Sequence, residues 1–439
     1  EQRTHLHGVR GQAFAAQIRG IPRERILCVS LDVSKYFHVV MIHNGLGEIV
    51  RPPFEIDIYQ SGFDQLQHVI AQAQAEIQAE VVLIGMEPTG HYFENLARQL
   101  VAHGRPVTLI NSYAVKSNRH QQLMQRQKSD EIDVAAIGDL LQRGQGTPYR
   151  PLTGVYLALQ QIDRHRLALV RSQTRLKNRI IGHMDRIFPG LVLTNKAAQE
   201  RYTPLFKTDF WKCQTLQHLI RICPNPHQIL AMSPKELAEA FRQHGGRMGP
   251  ATAARILEQA QKTLLPDPEL AAVRSQCLQS DLALLESIET QIAELENMET
   301  KLVEQTPYQV WTTLKGLSTV QAASLAAAIG PPENYCHVGQ IVRRAGLVPS
   351  CHDSGTYQRK GKGGHITKVG DAFLRRALMN ATNSLLMHQP VLARYFHKKM
   401  RDKEPPVAKV ATARKALSIL WATLRDGYSS TLIAQESSS

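Results

Sequence analysis

The sequence predicts an α/β domain at the front of the chain and a mainly α-helical remainder. Three observations carry that expectation. The apolar runs "ILCVSLDVSK", "YFHVVMIHN" and "GEIVRPPFEI" follow one another from residue 26 with short turns between them, which reads as three strands with hairpin pairing of the first two. Helical and strand patterns then alternate, with "VVLIG" and "PVTLIN" as further strands. Beyond residue 150 the recurring apolar spacing is three to four, the helical one.

Residues 1–24 are basic, contain Gly and lack a sustained period, so they read as a flexible arm. After the three strands, "SGFDQLQHVIAQAQAEI" places Phe63, Leu66, Val69, Ile70 and Ile77 on one face of an amphipathic helix, with Ser61 as the expected N-cap. Helix "HYFENLARQLVAHG" is closed by Gly104, strand "PVTLIN" follows, and a helical region runs to about 143. Three leading strands followed by helix–strand alternation give a sheet of mixed direction. That order is the one expected of a ribonuclease-H-like domain over residues 25–150.

Residues 151–305 read as a helical linker and coiled-coil region. Arg164, Arg171, Arg175, Arg179 and Arg186 are spaced by 7, 4, 4 and 7, which puts them on one face of a long helix, flanked by Arg166 and Lys177. Asp163 and Asp185 are the only acids close by in sequence, so the stripe suits a phosphate backbone better than pairing along its own helix. Residues 190–255 are short, Pro-punctuated helices with no legible task. Leu278, Leu285, Ile288, Ile292, Leu295 and Leu302 approximate a coiled-coil alternation, which fits a dimer contact and equally a helix packed within one chain.

Residues 306–430 read as a further domain. "TTLKGLSTVQAASLAAAIG" (312–330) has the look of a helix-hairpin-helix, whose second helix can offer backbone N–H groups to a phosphate. The basic, Gly-rich "RKGKGG" reads as a mobile loop near phosphate.

Bulk properties agree. The 439-residue chain has 43% hydrophobic residues and carries a net charge of +14, from 52 Lys plus Arg against 38 Asp plus Glu. Such a balance favours polyanion partners, since each neutralised phosphate releases counterions. The longest apolar runs fall far short of a membrane span, about 20 residues, and no signal-like segment opens the sequence. Six scattered cysteines without CxxC spacing argue against a zinc site or disulfide framework and fit a reducing cytoplasm.

The chemistry rests on carboxylates. Asp32 ends the first strand and Glu87 ends the fourth. In a ribonuclease-H-like sheet these strands are parallel neighbours, so the two acids would stand side by side, which a protein tolerates best with a cation between them. In "KSDEIDVAAIGDLL", Asp130 and Asp133 lie three apart and share a helix face. Four hard oxygen donors suit Mg²⁺. Two such ions about 4 Å apart would clamp the attacking and leaving oxygens of a phosphodiester displacement. Each acid also has a structural reading: Asp32 as a turn residue, Glu87 as a cap, Asp130 as an N-cap, and Asp133 as a first-turn carboxylate favoured by the helix dipole.

With these residues in view, "LDVSK", "MEPTGHYFENLA" and "KSDEIDVAAI" resemble the three signature blocks of the DEDD insertion-sequence transposases, recombinases guided by a bridge RNA. "LKGLSTVQAASLAAAIG…AGLVPSCHDSGTYQRKGKGGHITKVGDAFLRRAL" is similar to that family's C-terminal transposase domain. The resemblance covers roughly residues 26–145 and 305–425. Thr367 stands where Ser is commoner in the family, and 190–255 matches no part of it.

The resemblance implies a RuvC-like catalytic domain, double-stranded DNA (element ends and target) and a bridge RNA as partners, a dimer or tetramer, and action at the cytoplasmic nucleoid. It further implies a serine nucleophile that leaves DNA joined through phosphoserine. Ser354, in "HDSGTY", matches that position, and Ser350 is the competitor. Cys351 and His352 lack ligand-spaced partners and read as loop residues. Arg359, Lys360, Lys362 and Lys368 are the expected contributors to strand holding and charge stabilisation, and the Arg164–Arg186 stripe is the expected RNA surface. Two other readings remain open at this level. One is a hydrolytic junction-resolving nuclease with the same acids and a water nucleophile. The other is a non-catalytic nucleic-acid-binding scaffold. A sugar-kinase-like ATPase would need a phosphate loop that the sequence does not show.

Overall fold

The structure is a computed structural model that describes residues 8–122, 129–193, 200–202, 205–206, 210–349 and 366–426. The chain forms two compact units, Glu1–Pro151 and Leu152–Ser439.

In the first unit, α1 (Gly8–Gln17) precedes strands β1 (Ile26–Val33), β2 (Phe37–Asn44) and β3 (Ile49–Asp57). Helix α2 (Gln60–Glu76), strand β4 (Val81–Met86), helix α3 (Phe93–Ala102) and strand β5 (Val107–Leu109) follow. Helices α4 (Ser112–Gln122) and α5 (Asp130–Gln142) and a two-residue strand β6 (Thr147–Pro148) complete the unit. The sheet order is β3-β2-β1-β4-β5-β6, with β1, β4 and β5 parallel and the other pairings antiparallel. This mixed sheet is compatible with a ribonuclease-H-like domain.

Strand alternation splits the sheet into two faces. Leu27, Val29, Leu31 and Val33 of β1 join Ile84 and Met86 of β4 in the core under α2 and α3. Ile26 and Cys28 face the other way, toward Ile137, Leu140 and Leu141 of α5. Two sequence expectations change here. Ser61 is not the N-cap of α2. The Asp57 carboxylate accepts from the N–H groups of Tyr59 (2.8 Å) and Gly62 (2.9 Å) and from the Ser61 hydroxyl, so the acid at the end of β3 closes the helix start. Nor is all of 1–24 an arm. Gly8–Gln17 is helical, and Ile18 and Ile21 lie against the α5-side core. The stripe Phe14, Ile18, Ile21 has helical spacing but is too short to stand out in a basic segment.

The second unit is helical. Helix α6 (Gly154–Ile187) runs antiparallel to the helix Pro268–Val303, as the pairs Arg166–Glu299, Gln173–Glu289 and Arg179–Asp281 show. The stripe Leu278, Leu285, Ile288 and Ile292 is buried within this chain, in one cluster with Leu176, Ile180 and Met184 of α6. The Pro-punctuated region also finds its place. Helices Gln214–Ile222, Pro226–Leu230, Pro234–Gln243 and Pro250–Lys262 bury Leu219, Ile229, Phe241 and Ile256 in that same cluster.

A second cluster gathers the C-terminal part around Tyr308, Trp311, the helix Thr319–Ile329 and the helix Pro405–Asp426. The Tyr308 hydroxyl donates to the Gly330 carbonyl (2.8 Å) and the Trp311 indole N–H to the Leu420 carbonyl (2.9 Å). The segment before Gly316 is a 3-10 helix, Pro307–Thr313, rather than an α-helix. Ser318 caps the next helix through a reciprocal capping box with Gln321. The start of that helix is therefore satisfied by its own chain.

Candidate active site

Asp32 and Glu87 lie at the same end of two adjacent parallel strands, and Asp130 and Asp133 lie in the first turn of α5. Asp32 is the penultimate residue of β1 and follows Ile26, Cys28 and Ser30 on the α5 face. Glu87 directly follows β4. Since Leu31 pairs with Met86 in parallel register, Asp32 and Glu87 are next in line. The Glu87 N–H donates to the Leu31 carbonyl (3.4 Å), which continues the ladder to that point. On β4 it is Leu83 and Gly85 that face α5, the face that Asp32 shares on β1.

Helix α5 runs over this face antiparallel to β1. Its C-terminal Leu141 lies on Gly85, Gly138 lies on Ser30 and His43, and its N-terminal Val134 packs with Val39 and Met41. Val39 is the antiparallel partner of Asp32, so the first turn of α5 arrives where the strand acids stand. Two glycines permit the approach. A Cβ on Gly85 would stand 3.1 Å from the Leu141 side chain, and one on Gly138 would stand 2.5 Å from His43 Nε2. Burial raises the Cys28 thiol to about 12 and lowers the His43 imidazole below its usual range, with hydrogen bonding from Asn44 only partly opposing. Beneath α5, Cys28 and His43 are thus biased to their neutral forms.

Ser129 caps α5 by accepting from the Ile132 N–H (3.3 Å), which leaves Asp130, Glu131 and Asp133 in the first turn, where the helix dipole favours them. Asp130 is exposed, whereas Asp133 is buried, one turn before Ile137 on the sheet-facing side. Its Oδ1 accepts from Arg119 Nη1 of α4 at 2.5 Å. The donor set is all hard carboxylate oxygen, which in chemistry suits a divalent cation such as Mg²⁺. No three acid, His or Cys side chains among the described residues converge closely enough to hold an ion. Arg119 escaped the sequence reading because it lies 14 positions from its partner on a different helix.

The cation stripe on α6 is divided by the structure. Arg164, Arg171, Arg175 and Arg186 are exposed, and Arg164 also lies over the Phe373 ring at 5.2 Å. Arg179 instead holds Asp281 through Nε (2.6 Å) and Nη2, and Lys177 pairs with Glu289 (2.9 Å). Arg166 is buried among Asp163, Glu299 and Ser324. The acids that pair with Lys177 and Arg179 come from the antiparallel helix.

Ser354, Ser350, Arg359, Lys360 and Lys362 fall within 350–365, outside the described residues, as do Cys351 and His352. The described residues on either side of it are bridged. Pro349 and Ile366 form an antiparallel bridge, and the Thr367 N–H donates to the Val348 carbonyl (2.9 Å). Lys368 follows, exposed and in left-handed backbone (φ 53°), with its carbonyl accepting from Arg375 Nη1 (3.3 Å).

Residues 29–189 match the family model of a DEDD transposase, described as "Transposase", and residues 308–397 match that of the "Transposase IS116/IS110/IS902 family". Together the two span more than half of the chain. A "Probable family 20 transposase" of Pseudomonas aeruginosa is 25% identical over 83% of this chain and 92% of its own length. The "Insertion element IS116 uncharacterized 44.8 kDa protein" of Streptomyces clavuligerus is 24% identical over 91% of this chain and 94% of its own. A corresponding protein of insertion element IS110 from Streptomyces coelicolor is 25% identical over 59% of this chain and 60% of its own. Two family models met in order, one over the acid-bearing sheet and one over the C-terminal helices, show that this chain belongs to the IS110/IS116 family of insertion-sequence transposases.

Proposed function

We propose that this transposase cuts and exchanges DNA strands with Asp32, Glu87, Asp130 and Asp133 as the ligands of divalent cations, Mg²⁺ in the cell and two ions per site. In this reading Ser354 is the nucleophile. The observation that supports it best is the common placement of Asp32 and Glu87 at the ends of adjacent parallel strands, where α5 brings its first-turn acids. When bound, Mg²⁺ neutralises charge that develops on the phosphate and makes the serine hydroxyl easier to deprotonate. The chain's own residues do the rest. The Ser354 oxygen forms a P–O bond as its proton leaves to solvent, and one P–O bond of the DNA breaks, its released oxygen taking up a proton. A hydroxyl of the incoming strand then attacks the phosphoserine, joins the strand and restores the serine. No bond energy is lost to water, so strand exchange needs no other energy source.

A bridge RNA is the proposed guide, with Arg164, Arg171, Arg175 and Arg186 as its backbone contacts. Arg179 and Lys177 have acidic partners to give up before they could contribute. Lys368, beside the Pro349–Ile366 bridge, is the proposed contact to DNA together with Arg359, Lys360 and Lys362.

The test is to copurify the protein with its nucleic acid, sequence the RNA and supply DNA with matching sites. Recombinant product that depends on the RNA, together with a denaturation-resistant protein–DNA adduct lost in Ser354→Ala, is the expected result. Cleavage that persists in Ser354→Ala would favour a water nucleophile, and an adduct that persists there would favour Ser350. Undiminished cleavage by Asp32→Asn would remove the acids from the chemistry.

A further inference from the structure

We propose that a cavity in the helical unit receives one unpaired pyrimidine base of the RNA, and that its hydrogen-bonding groups select cytosine. The inference rests on the reading of this transposase as RNA-guided and goes beyond it by naming a base-reading site.

The cavity lies between α6, the 3-10 turn Phe210–Lys212, the helix Gln214–Ile222 and the helix Pro268–Val303. Its volume is about 120 Å³. Sites for whole small molecules run to roughly 300–1,000 Å³, whereas a protein cavity of about 150 Å³ takes one benzene ring, so this space suits a single six-membered ring. Trp211 and Gln217 line it, and both lie outside the two segments that match transposase families. They belong to the Pro-punctuated region whose task the sequence does not show.

Three features set the chemistry of the ligand. The first is a fixed aromatic ring. Buried Phe210 meets the Trp211 ring edge to face at 4.7 Å, and Gln217 Nε2 donates to the Trp211 carbonyl (2.5 Å). A ring already held in place stacks a base with little further loss of freedom.

The second is balanced charge. Lys177 pairs with Glu289 at 2.9 Å and Arg221 with Glu286 at 3.0 Å. Cations that each face a carboxylate attract a phosphate or a free acid only weakly, so a neutral ligand is favoured.

The third is the set of groups left to bond it. Glu289 spends Oε1 on both Gln173 Nε2 and Lys177 Nζ, which leaves Oε2 to accept, and Gln217 spends Nε2, which leaves Oε1. A carboxylate is the usual acceptor for the 4-amino group of cytosine. The Lys177 ammonium, 5.2 Å from the centre of the Trp211 ring, has N–H groups for the carbonyl of the same base. Uracil, with a carbonyl in place of the amine, would set oxygen against oxygen. Unstacked bases of this kind are what RNA loops offer and duplex DNA does not. Lys212, exposed and next to Trp211 in sequence, is placed to meet the attached phosphate.

The experiment is fluorescence anisotropy of the full-length protein with labelled single-stranded oligocytidine, oligouridine and oligoadenosine RNA of equal length, and with oligodeoxycytidine. Oligocytidine should bind about tenfold more tightly than the other two RNAs, the order of one discriminating hydrogen bond. Trp211→Ala should remove that preference and weaken oligocytidine about tenfold with the salt slope unchanged, and Trp211→Phe, which keeps a stacking face, should restore most of both. Glu289→Gln offers an amide that can donate to the uracil carbonyl, so the ratio of cytidine to uridine affinity should fall to about one or below. That ratio is blind to the charge the substitution adds, and it decides should Trp211→Ala not fold.

Oligouridine or oligoadenosine bound as tightly as oligocytidine, or a cytidine preference that survives either variant, overturns the base pocket and leaves RNA binding in place. If none of the RNAs binds and no RNA copurifies, the guide reading falls with it. Oligodeoxycytidine bound more tightly than oligocytidine overturns RNA as the source of the base.

Discussion

Glu299 offers a sharp test of the packing that joins α6 to the C-terminal helices. It is fully buried in the helix Pro268–Val303, and its Oε1 accepts from Arg166 Nε at 2.9 Å. The same arginine donates to Asp163 and to the Ser324 hydroxyl, which in turn donates to Asp163. One cation therefore hydrogen-bonds two carboxylates, with a third, Glu296, at 3.8 Å, and Glu299 Oε2 finds no partner among the described residues. Burial raises the Glu299 carboxyl from 4.5 to about 7 despite the attraction of Arg166.

The folded protein thus keeps a proton on Glu299 that the unfolded chain gives up near its ordinary value. Between about pH 4.5 and about pH 7 the folded state binds more protons, so stability falls as the pH rises and levels off above that range. At roughly 1.4 kcal/mol per tenfold change in affinity, the full effect is about 3 kcal/mol. Glu299→Gln keeps an acceptor for Arg166 and removes the ionisation. Urea unfolding of both proteins across that range should show the variant gaining on the wild type by up to about 3 kcal/mol as the pH rises. Parallel pH profiles would refute the argument.

Other substitutions test the site and its surroundings. Gly138→Ala forces a Cβ within 2.5 Å of His43 Nε2 and 3.3 Å of Ser30 Oγ. It should cost about 1–3 kcal/mol in thermal unfolding and, by lifting α5 from the sheet, weaken Mn²⁺ binding as well. Arg171→Ala and Arg175→Ala should each lower RNA affinity and reduce the salt slope of binding by about 1, with stability unchanged. Arg179→Ala should do the reverse, costing about 1 kcal/mol of stability because the buried Asp281 keeps only His183 Nε2, at 3.5 Å, among the described residues, with a smaller effect on RNA. Lys368→Asn keeps a residue tolerant of left-handed backbone and should weaken DNA binding at constant melting temperature. Lys368→Val should also destabilise, by about 1–2 kcal/mol.

Where the sequence was informative, the signal was local and periodic. Alternation along "ILCVSLDVSK" and "VVLIGMEP", joined by parallel register, is enough to put Asp32 and Glu87 at one end of the sheet, and helical spacing keeps Asp130 near Asp133. What escaped was set by partners far along the chain. The Leu278–Ile292 stripe is equally good for a dimer or for one chain, and only the fold shows that α6 fills it. The acids that bind Arg179 and Lys177 lie 102 and 112 residues away, so the stripe looked unpaired when read along its own helix. Asp57 displaced Ser61 as the cap because a strand-end carboxylate can reach several N–H groups at once. Arg119 carries no local signature, since its meaning comes entirely from where α4 lies on α5.

The proposal that Asp32, Glu87, Asp130 and Asp133 share divalent ions is tested most directly by anomalous diffraction from crystals of the protein soaked in Mn²⁺. One or two peaks at roughly 2–2.3 Å from carboxylate oxygens of both strand acids and at least one α5 acid are the expected result. Peaks confined to other parts of the molecule, or a peak unchanged in Asp32→Asn crystals, would contradict it.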